Sequence, residues 1–482
     1  MVLIEQWELR ARFARSLSAL YGNEVPAYTT LVEVAGEVNR DFTAQNPELA
    51  ERLGSIARVT AERHGAIRVG DIEELAQAAR VFGAAGMHPV GFYDLRDANP
   101  PIPVVSTAFR PVDRAELAQN PFRIFTSMLV AEDRRFFSEE LETQLTKFVS
   151  ARTVFPQELL DLADRSISES GLSNTDADRY IELATASFAL SPEPVDRAWY
   201  DKLESISSVA ADIGGVSSTH INHLTPRVLD IDDLYERMEA QGVKMIDAIQ
   251  GPPRWNGPDL LLRQTSFRAL AEPRAFREAD GSIGTDDLRV RFGEVEARGI
   301  ALTRSGRDSY DQMVKLVDER QKASGRPRPE VAVEVWTEDC PGDETQLVSR
   351  DYGFFNFSAT GKDADGAPAD LMALIDGDWI SIEPIVYEDF LPRSAAGIFA
   401  SNLSSDGAVD VTQDETLRDV RWMAQHIGVA MHDPYELYAE ERERSYRLAM
   451  AELGLDAGVV TRPWVDACCA GSLEKNCEGP AT

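Results

Sequence analysis

His64-Gly-Ala-Ile-Arg68-Val-Gly-Asp71-Ile-Glu-Glu-Leu75 is echoed by His223-Leu-Thr-Pro-Arg227-Val-Leu-Asp230-Ile-Asp-Asp-Leu234, with His, Arg, Val, Asp, Ile and Leu in one register. Each copy opens on a short β-like run. An aspartate then stands where a helix should be capped, and an amphipathic helical pattern follows. After the first helix Gly86 supplies a stop, 89–95 reads as a strand, and further strand-like runs lie at 104–109 and 122–129. After the second, 243–249, 260–267 and 289–302 offer the same succession, the first of them ended by Gly251-Pro-Pro. The expected fold is α+β, with two βαβββ modules packed into one curved, half-open sheet.

Around that duplication the chain divides further. Residues 1–62 are expected to be a helical lead-in, 63–130 the first module, 131–210 an acidic helical insertion and 211–304 the second module. Residues 305–410 are read as additional strands and a substrate loop, with helix at 305–323 and strands at 331–336, 346–357 and 379–386. Residues 411–482 form a mostly helical tail.

Composition limits the partners. The chain has 482 residues, of which 43% are apolar, ample for a large core. Its 49 basic and 81 acidic side chains leave a formal charge of −32, which disfavours nucleic acid and anionic membrane. A small anionic substrate then needs local arginines. The N-terminal stretch carries charges throughout, and no apolar run reaches membrane-spanning length, so the expected location is cytoplasmic. Cys468, Cys469 and Cys477 crowd the C-terminus without the paired spacing of a structural zinc site, and are read as an inert or redox-sensitive tail.

In a strand, residues i, i+2 and i+4 share a face, so each copy of the repeat presents a histidine and an arginine together: His64 with Arg68, His223 with Arg227. Two histidines at equivalent repeat positions suggest a metal site, which needs a third ligand. Two histidines with one carboxylate leave open positions on octahedral iron. The carboxylate is sought in Arg291-Phe-Gly-Glu294-Val-Glu296-Ala-Arg298, where apolar neighbours suggest a covered strand and a buried acid needs a partner. Glu294 and Glu296 share a face; Glu296 is preferred, with Glu294 as competitor. His220 falls on the opposite face from His223. Arg68 is read either as an anion clamp or as one half of a salt bridge. Arg227, after Pro226, is expected to organise the loop around Asp230, and Pro392-Arg393-Ser394-Ala-Ala-Gly397 has the small residues of a substrate loop.

The blocks HGAIRVGD (64–71), NHLTPRVLDID (222–232), LLRQTSFRAL (261–270), FGEVEARGIALT (292–303) and YEDFLPRSAAGIFASNL (387–403) resemble the 2-oxoadipate dioxygenase/decarboxylase family, a relative of the vicinal oxygen chelate superfamily. That resemblance implies paired modules of the vicinal-oxygen-chelate kind. It further implies a non-haem Fe(II) enzyme of lysine catabolism that turns 2-oxoadipate and O2, without external reductant, into 2-hydroxyglutarate and CO2. Carried over by position, it implies His64, His223 and Glu296 as metal ligands, and His64, Arg68, His223, Arg393 and Ser394 at the substrate, with Arg68 in the catalytic role. The family carries a small apolar residue where this chain has Arg393, which leaves the exact 2-oxo acid open. Two rival readings are a metal-dependent lyase or isomerase on the same sheet and a non-catalytic small-molecule-binding protein.

Overall fold

The structure is a computed structural model that describes residues 3–52, 58–59, 62–98, 100–270, 272–288, 291–391, 413 and 416–464. The chain forms two compact units. One comprises Met1–Gln250, Arg263–Ala297 and Asp389–Asp433, the other Gly251–Leu262, Arg298–Glu388 and Pro434–Thr482. It is an α+β protein with mixed sheets.

In the first unit, helices α1 (Gln6–Glu24) and α2 (Pro26–Gln45) lead into strand β1 (Arg63–Val69). Helix α3 (Ile72–Ala84) follows, capped by the Asp71 carboxylate, which accepts from the Glu74 N–H at 2.9 Å. Strands β2 (His88–Asp94), β3 (Val104–Arg110) and β4 (Arg123–Leu129) then come in succession. The second copy contributes β5 (His223–Pro226) to the same sheet, whose order is β2-β3-β4-β1-β5. Here β1 runs parallel to β4 and antiparallel to β5, with His64 opposite Thr225 and Ala66 opposite His223.

The period of two along β1 separates two environments. Ile67 and Val69 are fully buried in a large core with α1, α2 and α3. His64, Ala66 and Arg68 face the other way, where Ala66 joins Tyr93, Ala108, Phe125 and Phe390. Each core side chain of this size contributes about 1.5–3 kcal/mol by leaving water.

Between β4 and β5 lie the helices α4 (Glu139–Ser150), α5 (Gln157–Glu169), α6 (Asn174–Ser187), α7 (Arg197–Glu204) and α8 (Ser208–Gly214). After β5 comes α9 (Ile231–Ala240), capped by Asp230 through the Asp232 and Asp233 N–H groups. Strands β6 (Leu262–Ser266), β7 (Glu272–Arg277), β8 (Ile283–Leu288) and β9 (Glu294–Arg298) follow. Strand β9 pairs with β6, and a parallel bridge sets Arg227, just past β5, opposite Glu296 of β9.

The segment 243–249 is not a full strand; Met245 makes a single bridge to Phe267, and nearby Gln250 bridges Gln264. The hairpin of β7 and β8 was not anticipated. It is antiparallel over six residue pairs and stands between β6 and β9.

The second unit contains α10 (Arg304–Ser324), α11 (Arg328–Asp339), strands β10 (Phe355–Ala359) and β11 (Ile380–Pro384), and α12 (Pro434–Glu452). Residues 331–336, expected as a strand, lie within α11. Val331, Ala332, Val335 and Trp336 are the buried positions, a spacing of four that suits one face of a helix. Residues 346–357 split into the end of a short helix (Glu344–Ser349) and the start of β10. Strands β10 and β11 are antiparallel, and α12 ties to β10 through Asn356 Nδ2 donating to Glu441 at 3.0 Å.

Candidate metal centre

Strand register brings the site together. His64 on β1 stands opposite Thr225 on β5. The parallel bridge between Arg227 and Glu296 places Thr225 beside Glu294, and Thr225 Oγ1 lies 3.5 Å from Glu294 Oε2. His64, Thr225 and Glu294 therefore form one row across three strands. His223, two residues back on the same face of β5, lies beside that row.

The result is a buried cluster in which single ligand atoms of His64, His223 and Glu294 all lie within 4.8 Å of one another. His64 Nε2 is 3.4 Å from Glu294 Oε2, and His223 Nδ1 is 3.6 Å from Glu294 Oε1. Glu296 lies against the other nitrogen of His64, with Nδ1 and Oε2 3.1 Å apart but out of hydrogen-bond alignment. The converging trio thus contains Glu294, the competitor in the sequence reading, while Glu296 lies at the far nitrogen of His64. The two carboxylates are one strand repeat apart, and the register with β5 decides which one faces His223.

Electrostatics separate the two histidines although both are buried. Burial alone would depress the His64 pKa, but contacts with Glu296 and Glu294 outweigh it and hold the pKa above its ordinary value. Burial pushes the His223 pKa down to about 4, with Glu294 opposing incompletely, so His223 is neutral near pH 7. His64 Nδ1 and both ring nitrogens of His223 lack hydrogen-bond partners. Buried imidazole nitrogens are normally satisfied, and two histidines with a carboxylate are a donor set that suits a first-row divalent metal. The residues present therefore fit the metal that the sequence implies.

Arg68 points to the same side as His64, and Nη1 makes a short ion pair with Oδ2 of Asp212, on α8. Asn222 Nδ2 donates to the same oxygen at 2.9 Å and lies 3.1 Å from His220 Nε2. His220 precedes β5 in irregular chain, lies 3.4 Å from Asp212 and stands outside the converging trio. Arg227 pairs with Glu62 at 2.9 Å, and Arg123 holds the other Glu62 oxygen. Above the histidines, Phe390 packs edge-on to His64 at 5.0 Å between ring centroids and lies 4.9 Å from Phe125. The bidentate pair of Arg110 with Asp389, at 2.8 and 3.0 Å, fixes the backbone next to Phe390. Arg393 and Ser394 lie outside the described residues.

The sequence reading missed Asp212, Asn222, Glu62 and Phe390. A signal for Asp212 exists in hindsight: it is a single acid within Ser208-Val-Ala-Ala-Asp-Ile-Gly-Gly-Val216, a run otherwise small and apolar. Burying such an acid calls for a cationic partner.

A mixed-sheet α+β protein with two histidines and a carboxylate converging beside an arginine is a candidate metalloenzyme. The comparisons with known proteins narrow the class. The chain matches the 2-oxoadipate dioxygenase/decarboxylase family over residues 13–402. It is 51% identical over 444 residues to the 2-oxoadipate dioxygenase/decarboxylase of Mycobacterium tuberculosis, covering 92% of this chain and 99% of that one. To the Escherichia coli protein of the same name it is 37% identical over 451 residues, covering 91% and 97%. The crystal structure of hydroxyglutarate synthase from Pseudomonas putida in complex with 2-oxoadipate aligns with a TM-score of 0.80 at 36% identity, covering 94% of this chain and 99% of that one. This chain belongs to the 2-oxoadipate dioxygenase/decarboxylase family. No helix among the described residues is long and apolar enough to cross a membrane.

Proposed function

We propose that this protein is an iron(II)-dependent dioxygenase/decarboxylase that converts 2-oxoadipate and O2 into 2-hydroxyglutarate and CO2, a step of lysine breakdown. The observation that carries this reading is the convergence of His64, His223 and Glu294, with unpartnered ring nitrogens, beside Arg68. Family membership, relatives named for this reaction and a similar structure holding 2-oxoadipate support it.

The finer architecture belongs to the same proposal. The order β2-β3-β4-β1 and the pairings of β5, β9 and β6 support a reading as two βαβββ modules of the vicinal-oxygen-chelate type, at 63–130 and 211–304, the second interrupted by the hairpin of β7 and β8. The division into a lead-in at 1–62, an insertion at 131–210, the segment 305–410 and a tail at 411–482 belongs to the same proposal.

In this reading His64, His223 and Glu294 hold the metal, and Glu296 orients His64 from behind, as carboxylates behind metal-bound histidines do. When bound, iron(II) would supply a chelation point for the 2-oxo acid and a route by which electrons from the substrate reach O2. The chain's own residues do the rest. Arg68 lies four residues from His64, about 13 Å along the strand. An arginine reaching back across part of that span meets the far carboxylate of a six-carbon diacid whose 2-oxo end is at the histidines. Phe390 and Phe125 cover the His64 side and exclude water. Holding the diacid at both ends keeps the five-carbon product of decarboxylation in place for oxygen transfer. The reaction balances without a reductant, because both atoms of O2 end in the products. Arg393 and Ser394 are proposed as further substrate contacts on the strength of the family resemblance.

Protein purified without oxygen should carry about one iron per chain, and His64→Ala should lose both the iron and the turnover of 2-oxoadipate. Full activity in His64→Ala would overturn the site. Another bound metal with lyase or isomerase activity would favour the rival enzyme.

A further inference from the structure

We propose that Asp212 is a positioning residue that aims Arg68 at the second carboxylate of the substrate, so that the helical segment between the two halves of the site completes it. The inference rests on the reading of the substrate as a 2-oxo dicarboxylic acid and goes beyond it, by assigning a role to a segment that supplies none of the proposed metal ligands.

The geometry is specific. Asp212 is 3% exposed, and every residue of α8 is buried. The helix is held close against its neighbours: a Cβ on Gly214 would come within 2.4 Å of Leu145 Cδ2 on α4 and 3.1 Å of Leu203 Cδ1 on α7. Its carboxylate cannot drift without moving that packing. Oδ2 receives Arg68 Nη1 and the Asn222 amide, while Thr219 Oγ1 donates to the Arg68 carbonyl at 2.7 Å. Both the guanidinium and the backbone of Arg68 are thereby tied to residues 212–222.

Hydrogen-bond chemistry fixes the rest of the network. Asn222 Nδ2 has two protons: one goes to Asp212 Oδ2 and the other faces His220 Nε2. With the amide so oriented Nε2 accepts, and burial, which pushes the His220 pKa down to about 4, favours the neutral ring that does so. The neutral ring adds no second cation to compete with Arg68 for Asp212. A guanidinium carries five donors in a planar fork, so one edge can be fixed by a protein carboxylate while another serves a ligand carboxylate. An arginine held in this way has lost its rotamer freedom before the substrate arrives, and the ordering cost does not fall on binding.

The test compares two substrates, 2-oxoadipate and 2-oxohexanoate, which has the same chain length without the second carboxylate. Iron-loaded wild type, Asp212→Asn, Asp212→Glu and Asn222→Ser are assayed for KM and kcat, with iron content and melting temperature measured on each. In Asp212→Asn the KM for 2-oxoadipate should rise about tenfold or more, the loss of one charged hydrogen bond, while that for 2-oxohexanoate changes less than about threefold and the iron is retained. Asp212→Glu should restore part of the discrimination, and Asn222→Ser, which removes only the amide behind the carboxylate, should shift the same ratio less. Asn222→Ser also carries the test if Asp212→Asn does not fold. A general structural role predicts equal changes for both acids, and that result, or no change in the ratio, overturns the proposal. Wild type that turns over neither acid defeats the underlying reaction and this inference with it.

Discussion

Glu294 and Glu296 are two residues apart on one face of one strand, and the structure gives them different work, which makes their separate removal informative. Glu294 approaches both histidines, at 3.4 and 3.6 Å, whereas Glu296 lies 3.1 Å from Nδ1 of His64 and outside the converging trio. Structural zinc in a four-ligand zinc-finger site is worth about 10–16 kcal/mol, so one ligand of a comparable site is worth about 2.5–4 kcal/mol, or on the order of 10² to 10³ in affinity. A carboxylate behind a metal-bound histidine is worth about 10- to 100-fold. Glu294→Gln should therefore weaken Fe(II) binding by about 10² to 10³, and Glu296→Gln by ten- to a hundredfold. Anaerobic equilibrium dialysis against buffered Fe(II), checked by circular dichroism for retained fold, measures both. The reverse order would make Glu296 the ligand and refute the register argument; unchanged affinity in both variants would refute the site.

Other expectations follow from burial and charge. Glu62 is fully buried between Arg123 and Arg227, and Glu62→Gln leaves two guanidinium groups under-compensated; urea unfolding should show a loss of about 3–5 kcal/mol. Ile67 is fully buried behind the site strand, and Ile67→Ala should cost about 2–5 kcal/mol in the same assay, while Ile67→Val should cost less than half of that. His220 has a pKa of about 4 in the fold against an ordinary 6.5, so the unfolded chain takes up a proton that the fold resists. Its contribution is complete above pH 6.5 and declines as pH falls toward 4, by at most about 1.4 kcal/mol per pH unit, and His220→Gln should flatten that part of the stability profile. Arg68→Lys keeps the charge but loses the fork, and should raise the KM for 2-oxoadipate about tenfold with iron content unchanged.

What could be read from the sequence was what is local or repeated. Asp71 and Asp230 announce their helices because capping acts over three residues. His64 and His223 could be paired because duplication placed them at the same step of two strands, and β1 and β5 indeed lie side by side. The choice between Glu294 and Glu296 depends on how β9 is registered against β5, which no local pattern encodes. Asp212 meets Arg68 from 144 residues away, and nothing in the local pattern at the start of the second module points to that partner. The run Val331-Ala-Val-Glu-Val-Trp336 is rich in β-branched residues, but its buried positions follow a helical stripe, and tertiary packing overrode propensity. Arg393 and Ser394 fall outside the described residues, so their part rests on the family resemblance.

The most direct test of the central claim is the stoichiometry of a single reaction mixture. Protein loaded anaerobically with Fe(II) is mixed with 2-oxoadipate and a limited amount of O2, with no reductant present. Consumed O2, released CO2 and formed 2-hydroxyglutarate are then quantified together. The account predicts a ratio of one to one to one, with oxygen from labelled O2 in the new hydroxyl group. No oxygen uptake by the iron-loaded protein, or decarboxylation that ends at glutarate and requires added reductant, would contradict it.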